Sequence, residues 1–292
     1  MRTQDTDPYE ALTAALAALK EERPEEAPVF AFFQQIVTAQ NETKSRFEPD
    51  LAQLDMEAGR VRNRDGHSFL RPEDIAIDWA LFGLLFDRLS ALAGARAKEA
   101  GDDRPWPKLD GSAEGWHEGL VQAILSEPEA LARRAERLGA VPERFTFLVA
   151  QAIVPFLECY AEGIRPQLKT DAWEQGCCPV CGGQPLMGRL EKELGKRELH
   201  CCLCRTEWIF KRVACPFCGT QEQDKLRYFQ EEDDLAYRVE VCDACKNYLK
   251  TVDARQAACE RPLPAEHLAT LHLDLVAREE GFQRVTELLC GF

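Results

Sequence analysis

Cys178-Pro179-Val180-Cys181-Gly182 and Cys215-Pro216-Phe217-Cys218-Gly219 are two copies of one phrase, and their reading decides the fold. Each is answered downstream by a plainer pair, Cys201-Cys202-Leu203-Cys204 and Cys242-Asp243-Ala244-Cys245. Two thiolates at this spacing from one loop and two from another can surround a single ion tetrahedrally, the geometry that zinc and mononuclear iron both accept. Proline after the first cysteine restricts φ, and glycine after the second can take positive φ, so the loop turns its amides toward the sulfurs. The candidate metal ligands are therefore Cys178, Cys181, Cys201 and Cys204 for one ion, and Cys215, Cys218, Cys242 and Cys245 for a second. Each repeat opens on the proline-glycine phrase and closes on the plainer pair, so pairing in chain order is expected.

Between the paired cysteines the sequence alternates like a sheet. Tyr237, Val239 and Val241 alternate with Arg238 and Glu240, opposite Leu226 to Phe229 across an acidic turn at 231–234, and Gly195 marks the matching turn in the first repeat. Trp208 to Val213 and Tyr248 to Val252 supply a third strand to each repeat, and Trp208 and Tyr248 are expected to be strand residues covering the metal modules. Two rubredoxin-like or zinc-ribbon modules result. A segment of roughly 40 residues rarely carries a self-sufficient core, so bound metal, worth about 10 to 16 kcal/mol in small modules, must hold much of each one together.

The remainder reads as helical support. Asp7-Pro8-Tyr9-Glu10 starts a helix carrying Leu12, Leu16 and Leu19, and a second begins near Pro28 with Phe30, Phe33, Ile36 and Val37 on one side. Arg71-Pro72-Glu73-Asp74 opens a central helix over 75–92, with Ile77, Leu81, Leu84, Leu85 and Leu89 as its stripe. Helices follow over 112–125, over 126–138 with Ser126 as cap, and over 145–160. Past Pro262 and Pro264 one amphipathic helix is expected over 265–289, burying Leu268, Leu271, Leu275 and Val276. The fold class is α+β: a mainly helical domain over 1–170, metal modules over 171–213 and 214–256, and a C-terminal helical segment over 257–292 docking on the rest.

Thirteen cysteines grouped mostly as spaced pairs, and an N-terminus without an apolar signal region, indicate a cytoplasmic protein that binds metal rather than a disulfide scaffold. Cys159, Cys177, Cys202, Cys259 and Cys290 are left over, and Cys177 or Cys202 could exchange into the first site. The formal charge of −14 opposes nucleic-acid binding, and two loaded tetrathiolate sites would take it to about −18. Residues 188–212 are locally basic, with seven Lys/Arg against four Glu, which balances the thiolate charge. No catalytic constellation is present, so the chain is read as no enzyme.

At Leu199-His200-Cys201-Cys202-Leu203-Cys204-Arg205-Thr206-Glu207-Trp208 with Arg212, at Cys242 to Lys250, and at Leu271-His272-Leu273-Asp274-Leu275 with Glu280-Gly281-Phe282, the sequence resembles the FdhE family of formate dehydrogenase accessory proteins. The resemblance covers roughly the last 120 residues. It implies a helical domain followed by two rubredoxin-like modules, iron in preference to zinc on the eight paired cysteines, and a maturation factor. It also implies a partner, the catalytic subunit of a molybdenum- or tungsten-dependent formate dehydrogenase; no run of about 18 apolar residues appears, so no membrane span is expected. Two alternatives stay open: a thiol-disulfide or electron-transfer protein, and a zinc-ribbon nucleic-acid binder using Lys196, Arg197, Arg205, Trp208, Lys211 and Arg212.

Overall fold

A computed structural model describes residues 7–109, 116–168, 173–230, 234–286 and 289. The sequence readings for Cys290, the start of the helix at 112, most of the acidic turn at 231–234 and part of the linker after Pro166 lie outside the described residues. The fold divides into two compact units, one within 1–54 and 70–163, the other within 55–69 and 164–287. Residues 55–69, which the sequence boundaries placed in the helical domain, pack with the second unit.

The first unit is helical. Helix α1 (Pro8–Glu22) starts where expected, with Asp7 accepting from the amides of Tyr9 and Glu10, and α2 is Ala27–Lys44. Arg71 to Asp74 does not open the central helix. Asp74 takes the Arg71 amide at 2.8 Å and closes a single 3-10 turn, Pro72–Asp74, after which the chain is extended at Ile75. Asp78 then accepts from the amide of Leu81 and starts the central helix at Trp79–Glu99, preceded in the chain by α3 (Met56–Arg64) and numbered α4. Ile77 therefore lies before the helix, and Leu84 is exposed. Ser126 is the last residue of α5 (Leu120–Ser126) and not the cap of α6 (Pro128–Arg137).

Helix α7 (Pro142–Ile164) is the axis of this unit. The stretch Pro142–Gln167 is long and apolar enough to cross a membrane, and 78% of its most apolar window is buried by packing. Phe145, Leu148, Ile153, Phe156 and Leu157 are almost wholly inaccessible. Polar ties fix its angle: the Tyr9 hydroxyl donates to Glu158, and the Ala76 amide donates to the Tyr160 hydroxyl at 2.9 Å.

The second unit is built on one six-stranded sheet, ordered β3-β2-β1-β6-β5-β4. Its strands are β1 (Pro185–Leu190), β2 (Arg197–Cys201), β3 (Glu207–Phe210), β4 (Leu226–Phe229), β5 (Tyr237–Cys242) and β6 (Tyr248–Asp253). Each repeat supplies an antiparallel triplet, as the alternation indicates, but the triplets do not stand apart. Strands β1 and β6 pair in parallel at Gly188↔Thr251, Arg189↔Val252 and Leu190↔Asp253. A Cβ at Gly188 would come within 2.8 Å of the Thr251 hydroxyl oxygen, so glycine is what lets these two side-chain rows close. The junction removes two exposed strand edges.

Two short helices, α8 (Leu263–Ala269) and α9 (Leu271–Glu279), replace the single C-terminal helix expected. The break at Thr270 has a physical cause. Lys250, 1% exposed, sends its ammonium group to the carbonyls of His267 and Thr270 and to Asp274 at 2.7–3.0 Å. It satisfies the carbonyls that end α8 and supplies the positive charge a helix C-terminus favours. The turn re-aims α9, so Leu273 and Ala277 pack on Val239, Val241 and Tyr248, while Leu275 and Val276 face outward.

Candidate metal centres

The eight paired cysteines gather into two groups of four, Cys178/Cys181/Cys201/Cys204 and Cys215/Cys218/Cys242/Cys245, within which all sulfurs lie inside 4.8 Å of one another. The grouping follows chain order. In the first group the Sγ atoms of Cys178 and Cys204 are 3.4 Å apart and those of Cys181 and Cys201 3.5 Å; in the second, Cys215 to Cys245 and Cys218 to Cys242 are each 3.7 Å. A disulfide would require about 2.05 Å. Four sulfurs about 2.3 Å from a central ion stand about 3.8 Å apart, so both clusters fit a tetrahedral ion after small adjustment. Neither cluster includes Cys177 or Cys202, and both are only half-buried.

One local device makes all four loops. The first cysteine of each pair donates its amide to the carbonyl five residues on: Cys178 to Gly183, Cys201 to Thr206, Cys215 to Thr220 and Cys242 to Asn247, at 2.8–3.0 Å. The residue after the second cysteine has positive φ every time, +77° at Gly182, +54° at Arg205, +75° at Gly219 and +59° at Lys246. The plainer pairs thus adopt the glycine conformation without glycine, at a backbone cost of about 1 kcal/mol each. This equivalence was invisible in the sequence, where only glycine advertises the conformation.

Amide hydrogens turn inward as the grammar implies. Gly183 donates to Cys181 Sγ at 3.4 Å, and Leu203 and Cys204 donate to Cys201 Sγ at 3.4 and 3.5 Å. Burial pushes the Cys178 and Cys201 thiols well up, and hydrogen bonding with neighbouring sulfurs does so at Cys181. At Cys204 burial is outweighed by hydrogen bonds from the other sulfurs and from Thr206, and its thiol is held well below the usual range. Cluster two repeats this: burial raises Cys215 and Cys242, whereas at Cys245 the amide and side chain of Asn247 overcome burial and lower it. One thiol of each cluster, Cys204 in the first and Cys245 in the second, is thus held below its ordinary range. A divalent cation would supply the charge that burial denies the raised sulfurs.

The sequence did not disclose how the first cluster is clasped. Asn63 on α3 donates its side-chain amide to Pro179 O at 2.9 Å, and the Phe69 amide reaches the same carbonyl at 2.8 Å. The Phe69 ring packs over Gly59 of α3, where any Cβ would collide with it. Trp208 and Tyr248 are buried strand residues, and Tyr248 packs with Val239, Val241 and Leu273. His200 Nδ1 lies 3.4 Å from Glu207 Oε1. Two of the six residues read as a basic face for nucleic acid are withdrawn from the surface, while Lys196, Lys211 and Arg212 are exposed. Arg197 and Trp208 are 3% and 2% exposed, Arg197 being held by Glu240 at 2.8 Å and by Ala214 O.

Sequence comparison agrees with this geometry. Residues 177–212 match the FdhE central domain and residues 213–289 the FdhE C-terminal domain. The family likeness thus runs without a gap over residues 177–289. An FdhE homolog of Aquifex aeolicus is 30% identical over 157 residues, covering 53% of this chain and 54% of that protein. One from Shewanella oneidensis is 27% identical over 210 residues, 62% of this chain and 69% of that one. The chain therefore matches about half the length of the first of these relatives. The crystal structure of the FdhE protein from Pseudomonas aeruginosa shares the fold, with a TM-score of 0.67 at 23% identity over 97% of this chain and 95% of that one.

Proposed function

We propose that this chain is an accessory protein required for formate dehydrogenase activity, which engages the catalytic subunit of that molybdenum- or tungsten-dependent enzyme during maturation and catalyses no reaction of its own. One observation carries the reading: the matched FdhE domains, 177–289, are the residues that build both cysteine clusters and the sheet joining them. Each cluster would hold one ion through its four cysteines, iron by family resemblance, with zinc as the alternative donor-compatible metal. The bound ions would fix the loops and, if iron, supply a one-electron redox couple. The reading places the protein in the cytoplasm, where reducing conditions keep its sulfurs as thiols.

The test is paired. Replacing Cys215 and Cys218 by serine removes two strong ligands from the second cluster and leaves the helical unit folded. Co-purification with the catalytic subunit and formate oxidation in the same cells should both fall by about tenfold or more, since binding and activity are read through one contact. Full association and full oxidation in the mutant would defeat the proposal. Anaerobic purification with metal analysis identifies the ion, and stoichiometric zinc would displace iron without touching the accessory role.

A further inference from the structure

Beside the second cluster the sheet bears a cavity of about 220 Å³, floored by Leu226, Tyr228, Arg238 and Glu240 and walled by the connector that runs from Arg212 to Phe217. Its rim includes Cys215 and Cys242. Four arginines, Arg197, Arg212, Arg227 and Arg238, are among its lining residues, beside a single acidic one, Glu240. That carboxylate is already shared, 2.8 Å from Arg197 and 2.5 Å from Arg238, and is held below the usual carboxylate range, burial being outweighed by the two arginines. Arg227 is engaged by Asp243. Arg212 is exposed and has no ion pair among the described residues. Arg197 is buried, yet its Nε finds no acceptor among the described residues.

Two kinds of surface thus meet in one recess. A cation excess sits in a chain of net charge −14, and beside it lie Val213 and Tyr228, 50% and 59% exposed, with Phe217 half-buried. Guanidinium groups recognise carboxylates through paired hydrogen bonds, and exposed aliphatic and aromatic side chains take an apolar neighbour. A polyphosphate chain fits poorly: the surrounding net charge repels a long polyanion, and the positive lining is a pocket, not a track. We propose that this recess docks an extended peptide segment of a partner protein in which acidic and aromatic residues alternate, the carboxylate meeting Arg212 and the ring resting on Phe217 and Tyr228. The proposal rests on the accessory reading above and names the chemistry of its protein contact.

The competing account is that the arginines only balance the charge of a loaded second cluster, two negative charges for four thiolates and a divalent ion. The experiment separates the two. Metal-loaded full-length protein is titrated into a fluorescein-labelled hexapeptide alternating glutamate with phenylalanine, and anisotropy is followed. Saturable binding is expected, weakened about tenfold or more by Arg212→Glu and no more than about threefold by Arg212→Lys, with metal content unchanged in both. Equal binding of a lysine-phenylalanine peptide, or an Arg212→Glu variant that binds normally, would overturn it. So would loss of metal from Arg212→Glu, which assigns the arginine to charge balance, or displacement of the peptide by a DNA oligonucleotide at lower concentration than by unlabelled peptide. Co-purification with the formate dehydrogenase catalytic subunit keeps the two readings apart. If Arg212→Glu retains the subunit fully, the recess is not its dock and the accessory role stands; if wild-type protein never retains it, the accessory role falls while the peptide titration still decides the recess.

Discussion

The two clusters share a loop design and differ in shelter. In the first, all four cysteines are buried and α3 with Phe69 holds the Pro179 carbonyl from outside. In the second, Cys218 is exposed and Cys245 half-buried, and the cavity opens alongside. Identical ligand chemistry in unequal surroundings teaches that spacing sets which sulfurs meet, whereas the neighbouring elements set how readily anything reaches them. A closed cluster is suited to holding a fold together, and an open one to exchange and contact.

The largest test of this contrast is ligand removal. Serine at Cys178 and Cys181 should cost on the order of 10 kcal/mol and unfold the sheet unit, because the cluster lies within its buried packing. The Cys215/Cys218 double variant should lose one ion and keep the first three strands, seen as one metal per chain with a residual thermal transition. Equal collapse in both would erase the distinction. Next in size is a rate. A chelator should strip the second site about tenfold or more faster than the first, and in a Cys259→Ser background iodoacetamide should label Cys218 before any other cluster cysteine. Release of both ions in a single phase would refute this.

Gly176 and Gly219 sharpen the comparison through the backbone. A Cβ at Gly176 would collide with the carbonyl of Pro216, so the segment leading into the first cluster presses directly on a loop of the second. Gly176→Ala should cost about 3 kcal/mol and speed metal loss from the second site. Gly219 has open space around it and only its φ of +75° to defend, so Gly219→Ala should cost about 1 kcal/mol. Thermal unfolding of the loaded proteins ranks the pair, and reversal of the order would contradict the close approach.

The smallest effect is a pH dependence. His267 is buried with Arg284 and Lys250 facing it, and burial first, then those two cations, hold its imidazole well below its ordinary 6.5. Above that value both folded and unfolded chains carry it neutral. As pH falls below 6.5, the unfolded chain takes a proton that the folded chain refuses, and stability declines by up to about 1.4 kcal/mol per pH unit. His267→Asn should therefore lose less Tm than wild type between pH 7.5 and 5.5. Metal loss in acid affects both proteins alike, so the difference between them isolates the histidine.

What the sequence disclosed has a physical pattern. The eight cysteines, their partners and the strands between them were readable because ligand spacing and two-residue alternation are local signals. Helix α3 was missed because Met56–Arg64 has no apolar stripe; Val61 is exposed, and the helix contributes through Asn63 and the bare backbone of Gly59. The break at Thr270 was missed because Lys250, far off in the chain on strand β6, causes it. At Arg71 to Asp74 a sound capping pattern closed a turn on itself, and the same signal at Asp78 started the helix.

The parallel pairing of β1 with β6 carries a consequence for how the chain is made. Strand β1 acquires its second neighbour only when residues 251–253 emerge from the ribosome, about sixty residues after β1 itself. The first cluster's ligands are complete at Cys204, long before that moment. During the interval a nascent chain presents one bare strand border flanked by apolar Leu186, Met187 and Leu190, a surface prone to pairing with a neighbouring chain. Prompt capture of metal by Cys178, Cys181, Cys201 and Cys204 would stiffen that triplet while it waits, so metal supply during synthesis should govern the yield of folded protein as strongly as it governs the finished sites.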